Sequence, residues 1–425
     1  MKKVLKGLGI LLAILVIVIA IFYVKNNEAL PKGIQGKEAD ELANKMLTAL
    51  NIEAYNEAEI LEWSFRDSHF YKWNKSKNTV TVSWKNNRVI LDTKNNNNSK
   101  VITKETDIES NELIKTASNY FNNDSFWLIA PFKVFDKGVE RRLVKQHGKK
   151  ALLITYTSGG STPGDSYLWI LDDNGFPISY KMWVSIIPIG GIEATWNHWT
   201  KTDAGFQLPN KHIIKLFGME LNMGKVTASN PTADIFANKI LKAINHSAYK
   251  NTRYLEWSFR GKRNFKWDKK NHIVDVSWDA NKVILHPNNL AKSKLFINNN
   301  ETTENKEKLV KRANDIFNND SFWLVAPHKL FEPGIIRSMV SVDGKDALKV
   351  TYTTGGSTPG DSYIWIVDDK YLPIKYLMNV PSMKMNQVPA TWDDWFTTQS
   401  GTLLPKNHTF SGGRKLSMGA VKAYN

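Results

Sequence analysis

The chain contains no cysteine. That single absence excludes disulfides, a thiol nucleophile and thiolate metal sites, and it also excludes a lipid-modified cysteine as a membrane anchor. Histidine is scarce at nine residues, and none of them forms a His-x-x-x-His or His-Glu pair with metal-ligand spacing. Long runs of one charge are missing too. The excess of 57 Lys+Arg over 41 Asp+Glu gives a net charge of +16, yet the basic residues are dispersed and accompanied by Asn-rich stretches at Asn95–Asn98 and Asn298–Asn300. This pattern reads as general use of Lys and Asn, without the clustered patch expected of a nucleic-acid binder.

Aromatic and apolar residues are abundant: 15 Trp, 14 Tyr and 19 Phe within a composition that is 42% hydrophobic. Such a chain has enough apolar area to offset the entropy of ordering. At 425 residues it is too long for one ordinary domain and suits an anchor plus two domains of roughly 190 residues each.

Lys2, Lys3 and Lys6 precede an uncharged stretch from Gly7 to Val24 that ends at Lys25. As a helix those 18 residues span about 27 Å, close to the hydrocarbon thickness of a bilayer. The exit, Ile21-Phe22-Tyr23-Val24-Lys25, is bulky where a signal peptidase needs small residues. The expectation is an uncleaved single-pass anchor, residues 1–25, with a cleaved signal as the alternative. The leading lysines place the N-terminus in the cytoplasm, so the bulk of the chain lies across the membrane. That topology argues against a nucleic-acid partner.

Beyond the anchor the chain repeats itself. Leu61-Glu62-Trp63-Ser64-Phe65-Arg66 recurs at Leu255–Arg260, an offset of 194. Asn122–Leu128 recurs at Asn318–Leu324, and Gly159–Tyr167 at Gly355–Tyr363, both offset by 196. Seven tryptophan pairs follow these offsets, which leaves Trp183 as the one unmatched tryptophan. A period near 195 is far longer than solenoid repeats of roughly 20–50 residues and denotes a duplicated domain, expected at 37–226 and 232–425.

Each copy opens with a helical stripe, Leu42, Met46, Ala49 and Leu50 in the first and Phe236, Ile240, Ala243 and Ile244 in the second. Alternation then predicts strands around Trp63 and around Val80-Thr81-Val82-Ser83-Trp84. A second helix is expected near Glu112–Phe121 and Lys308–Phe317. Strands at 151–157, 167–172 and 177–185 follow, with Asp173-Asn174-Gly175 as a hairpin turn. The fold class is α+β, mainly β: an N-terminal transmembrane helix, then two tandem unclosed antiparallel half-barrels, each with helices packed as a lid. A strongly bent sheet gathers its aromatics on the concave face, either as a plug or around a cavity.

The opening of each copy resembles the LolA-like family of outer-membrane lipoprotein-sorting and related periplasmic lipid-binding proteins. The residues carrying the resemblance are Ala39–Leu50, Leu61–Arg66, Phe70-Tyr71-Lys72-Trp73 and Val80–Trp84, with Ala233–Ile244, Leu255–Arg260, Asn264–Asp268 and Val274–Trp278 in the second copy. The resemblance implies an unclosed barrel under a helical lid, holding an acyl chain or lipoprotein lipid. This chain departs from the soluble carrier in being tethered and doubled. In the region of the carrier's lid-latching arginine it has Arg263 in one copy and His69 in the other. A tether suits static binding or bridging better than shuttling.

The Gly-rich segments Ser158–Asp165 and Thr354–Asp361 lack the Gly-Lys-Ser/Thr ending of a nucleotide loop and read as connections between strands. The recurring acids Asp124/Asp320, Asp165/Asp361 and Asp172/Asp368 are expected as caps or turn formers, and Arg66 and Arg260 as surface residues. Only His212 among the histidines has a histidine partner, His408. No catalytic constellation recurs, and no cofactor or metal site is expected.

The reading is therefore a non-catalytic binding or scaffold protein of the bacterial inner membrane, with its bulk in the periplasm and a lipid or lipoprotein ligand. The cavity candidates are Trp63, Phe65, Trp73, Trp84 and Trp127, with Trp257, Phe259, Trp267, Trp278 and Trp323 in the second copy. The alternative is a glycan-binding or glycan-processing protein that stacks sugars on Trp196 and Trp199 or on Trp392 and Trp395.

Overall fold

The computed structural model describes residues 2–103, 107–146, 148–158, 163–354 and 359–425. Helix α1 (Lys2–Asn26) contains the apolar stretch Gly7–Asn26, which is long enough to cross a membrane and none of which is buried. The chain then forms two units, Met1–Ser229 and Asn230–Asn425.

In the first unit α2 (Lys37–Ala49) buries Ala39, Ala43, Met46 and Leu47. Leu42, expected on that stripe, is half-buried at its edge. The helix packs on the strands Val139–Gln146 and Lys149–Tyr156. The short helix α3 (Ile52–Glu57) leads into a six-stranded antiparallel sheet, ordered Thr227–Ser229, Ile60–Phe65, His69–Asn74, Thr79–Trp84, Asn87–Asp92 and Lys100–Val101. A second sheet runs His198–Lys201, Gln207–Ile214, Ile192–Thr195, Pro177–Trp183, Ser166–Leu171, Lys149–Tyr156 and Val139–Gln146, with Met219–Asn222 added to Gln207–Ile214.

Backbone bonds from Ser64 N–H to Met223 and from Arg66 N–H to Asn222 join the two sheets. The result is one curved, unclosed half-barrel. At this seam Gly224 has φ +63, and a Cβ there would meet Ser64 Oγ at 2.1 Å, so a larger residue would displace the Ser64 hydroxyl. Helix α4 (Asp107–Ile129) lies across the concave side, against Thr79–Trp84, Asn87–Asp92 and Gln207–Ile214.

The second unit repeats this order. Helices α5 (Pro231–Ala243) and α6 (His246–Asn251) precede a seven-stranded sheet in which Tyr254–Phe259 pairs with the C-terminal strand Lys422–Tyr424. Helix α7 (Lys306–Val325) covers it, and a five-stranded sheet spans Ile335–Val342 to Met385–Thr391. The strands that extend the second sheet in the first unit form separate two-stranded pairs here. The seam runs from Ser258 N–H to Met418 and from Arg260 N–H to Ser417, at the end of the pair Asn407–Thr409 and Lys415–Ser417.

Helices α4 and α7 run well beyond the expected boundaries, straight through Asn122-Asn123-Asp124 and Asn318-Asn319-Asp320. Polar residues there suggested an end. The aromatics that follow, Phe126-Trp127 and Phe322-Trp323, instead pack inward and stabilise the helix through tertiary contact. The Gly-rich segments connect antiparallel strands, but Gly159–Thr162 and Gly355–Thr358 lie outside the described residues.

Candidate aromatic cradle and its helix latch

Side chains two apart on a strand share a face, and register decides which of them meet. Trp63 stands opposite Tyr71, Leu61 opposite Trp73 and Phe65 opposite His69, while Tyr71 and His69 stand opposite Val82 and Trp84. The concave face of the first unit therefore gathers Trp63, Phe65, Trp73 and Trp84 together with His69 and Tyr71. The Trp63 and Tyr71 rings stack at 4.6 Å. Helix α4 lays Phe121 5.4 Å from Trp73 and Tyr120 5.6 Å from Trp84.

The second unit gathers Trp257, Phe259, Trp267 and Trp278 in the same way, with Trp257 stacked on Phe265 at 4.5 Å and Phe317 of α7 5.2 Å from Trp267. Trp63, Trp84, Trp257 and Trp278 are buried, and Phe121 and Phe317 occupy the space above them. The indole N–H groups of Trp63, Trp73, Trp257 and Trp278 are buried without a hydrogen-bond acceptor. A buried donor left unpaired costs about 1–3 kcal/mol.

Trp127 and Trp323 stand apart from these cradles. Trp127 ends α4 beside Tyr180, Trp196 and His212, and Trp323 ends α7 beside Tyr376 and His408. The chemistry at this point is local in origin. Pro131 follows Trp127 by four residues and Pro327 follows Trp323 by four, so neither Trp carbonyl has its helical N–H donor. His212 Nε2 lies 2.7 Å from the Trp127 carbonyl and Nδ1 2.8 Å from that of Thr195, and His408 faces the Trp323 and Thr391 carbonyls at the same distances. A neutral ring donates to one of its two carbonyls, the Nε2–H tautomer supplying the bond the helix lacks. Burial lowers both histidines to about 4, against the opposing pull of the backbone carbonyls. The one matched histidine pair is thus a helix cap within the core.

Asp124 and Asp320, expected as caps or turn formers, lie inside α4 and α7 and are fully buried. Each carboxylate fastens its helix to the cradle strand. Asp124 is 2.7 Å from His69 Nδ1 and accepts from Tyr71 Oη at 2.5 Å and Asn123 Nδ2 at 2.8 Å. Asp320 accepts from Arg263 Nη2 at 2.8 Å and Asn319 Nδ2 at 2.8 Å, with Arg263 Nε 2.7 Å from its other oxygen. Burial pushes Asp320 up to about 6, opposed by Asn319 and Arg263. The link was hidden in sequence because 55 and 57 residues separate the partners. The signal available was an acid kept in both copies while the strand position changed from His69 to Arg263.

Asp172 and Asp368 do form turns, each accepting two backbone N–H groups. Asp165 accepts the Ser185 N–H. Arg66 and Arg260 are exposed turn residues with φ of 51 and 54. Trp196 and Trp392 are buried, and Trp199 and Trp395 donate their indole N–H groups to the Pro177 and Pro373 carbonyls, so none of these pairs forms an open sugar platform. An open cleft of about 410 Å³ is lined by Glu38, Leu42, Lys45, Lys149, Lys150, Leu171 and Asp173, with Lys150 paired to Glu38 and Lys149 to Asp173. Among the described residues no cluster of three His, Asp or Glu is placed to hold a metal.

No family model matches the chain, and no curated protein matches it. Among solved structures, a DUF1329 family protein from Desulfovibrio piger aligns over 46% of this chain and 92% of its own length, at 9% identity and a TM-score of 0.23. A similarity at that level carries no argument about function.

Proposed function

We propose that this chain is a membrane-anchored, non-catalytic envelope protein of the LolA-like kind, binding an acyl lipid or lipoprotein lipid in the cradles beneath α4 and α7. The observation that carries the reading is the recurrence, in both units, of a concave Trp-rich face whose buried indole N–H groups find no acceptor in the protein. An ester carbonyl of a lipid supplies such an acceptor, and its acyl chain matches the apolar lining. Entry requires the covering helix to lift. Helices α4 and α7 are suited to that because a carboxylate latch fastens each to its cradle. On this reading α1 is an uncleaved inner-membrane anchor, and Lys2, Lys3 and Lys6 set the bulk of the chain in the periplasm.

The test is native mass spectrometry of the full chain extracted from its own envelope, followed by lipid analysis. Retention of up to two lipids per chain, reduced by Trp63→Ala and by Trp257→Ala, is the expected result. A lipid-free chain that also takes up no added phospholipid or acylated peptide overturns the reading.

A further inference from the structure

The segment that follows α1 is fastened to the first unit. Glu28 N–H donates to the Gly190 carbonyl, and Gly190 N–H donates to Asn27 Oδ1 at 2.8 Å. Lys181 pairs with Glu28 at 2.6 Å, and Trp183, the tryptophan without a counterpart, donates its indole N–H to the Glu28 carbonyl at 2.8 Å. A Cβ on Gly191 would meet Glu28 at 2.6 Å, so the turn is built to admit this stem. The matched positions in the second unit are Leu377 and Asn379, which offer neither the charge nor the indole.

Between Trp183 and Gly191 the chain reads Val184-Ser185-Ile186-Ile187-Pro188-Ile189-Gly190, with no charged residue. Ile187 and Ile189 pack partly on the core, whereas Ile186 is 77% exposed. Ile186 is four positions from Gly190, so it lies within about 14 Å of the glycine to which Asn27 and Glu28, just past the end of α1, are bonded.

We infer that the hairpin 184–190 is a second membrane contact, its Ile186 tip seated in the interfacial layer of the bilayer that α1 spans. This rests on the reading of α1 as a membrane anchor. An uncharged, apolar tip held beside the exit of a spanning helix gains by leaving water for that layer. The helix and hairpin together fix the tilt of the first unit on the membrane, which a single point of attachment does not.

The absence of cysteine allows a direct test. Full-length Ile186→Cys, Val16→Cys and Asn97→Cys are each labelled with an environment-sensitive fluorophore in phosphatidylethanolamine–phosphatidylglycerol vesicles. Nitroxide-bearing lipid is expected to quench the labels at 186 and 16 several-fold more than the label at 97, and aqueous iodide to do the reverse. A label at 186 that behaves like the one at 97 overturns the proposal. The label at 16 then separates the two readings: if lipid quenches it, the anchor stands and only the hairpin contact falls, and if not, both fall.

Discussion

Where the first unit holds its long helix through His69 and Tyr71 on Asp124, the second uses Arg263 on Asp320 and has Phe265 in place of the tyrosine. A parallel exchange sits beneath the short helices. Phe132 stacks on Tyr55 at 4.3 Å in the first unit, and His328 stacks on Tyr249 at 4.2 Å in the second. The scaffold and the buried acid are common to both, while the groups around them change charge type. One backbone thus carries two helix fastenings that answer differently to pH and to loss of a partner.

The largest expected difference is in acid. Burial lowers His328 to about 3, with the Leu403 carbonyl opposing and His246 and Lys269 adding to the effect. An unfolded histidine takes its proton near pH 6.5, so the stability His328 contributes is complete above that and is lost as pH falls toward 3. At pH 4 the loss is on the order of 3 kcal/mol. His212 and His408 add an equal acid sensitivity to both units. Asp320 acts in the opposite sense: its carboxyl is raised in the fold, so its contribution grows as pH falls from 6 to 4. In thermal unfolding at pH 7 and pH 4, His328→Phe is expected to retain more stability at the lower pH, and Phe132→His to lose it. Equal acid responses in wild type and His328→Phe would remove the distinction.

Next in size is the latch. Asp320→Ala leaves the Arg263 guanidinium without its buried partner and is expected to cost about 3 kcal/mol. Asp124→Ala leaves a neutral-capable imidazole and a phenol, for about 2 kcal/mol. Hydrogen exchange resolved to residues 107–129 and 306–325 reads each effect in its own unit. Comparable losses in both helices would show that charge type at the latch is immaterial.

A smaller effect is expected where the stem docks. Trp183→Asn, which installs the residue of the second unit, removes one hydrogen bond and part of the cover over Glu28. It should cost about 1 kcal/mol locally, seen as faster exchange in residues 27–36 with α4 unchanged. Faster exchange throughout the unit would instead make Trp183 a core residue.

The smallest difference concerns the strand that closes each first sheet. Glu256 accepts from Tyr424 Oη at 2.7 Å, and that hydroxyl holds its carboxyl below the usual range, whereas Ser229 occupies the matched place beside Glu62. Glu256→Gln should cost about 1 kcal/mol and Glu62→Gln a few tenths, measured by urea unfolding at pH 7.

The order of elements was legible in sequence because its signals are local. Apolar spacing revealed α2 and α5, alternation revealed the hairpins around Trp63 and Trp257, and Asp173-Asn174-Gly175 forms its turn with Gly175 at φ 92. Alternation is visible in sequence for Trp63 with Phe65 and for Val82 with Trp84, whereas only strand register shows that these residues and Trp73 share one face. Trp127, a matched tryptophan expected with them, is instead carried by the extension of α4 to His212.

Composition, the uncharged run from Gly7 to Val24, and the offsets of 194 and 196 belong to the sequence by itself, since each is a property of neighbouring or repeated residues. Tertiary structure alone decided that Asp124 and Asp320 are buried latches, that His212 and His408 complete helices interrupted by proline, and that Trp183 receives the stem 155 residues away. Those contacts join residues far apart in the chain, and no periodicity encodes them. They exist only once the curved sheet brings its strands beneath the helix.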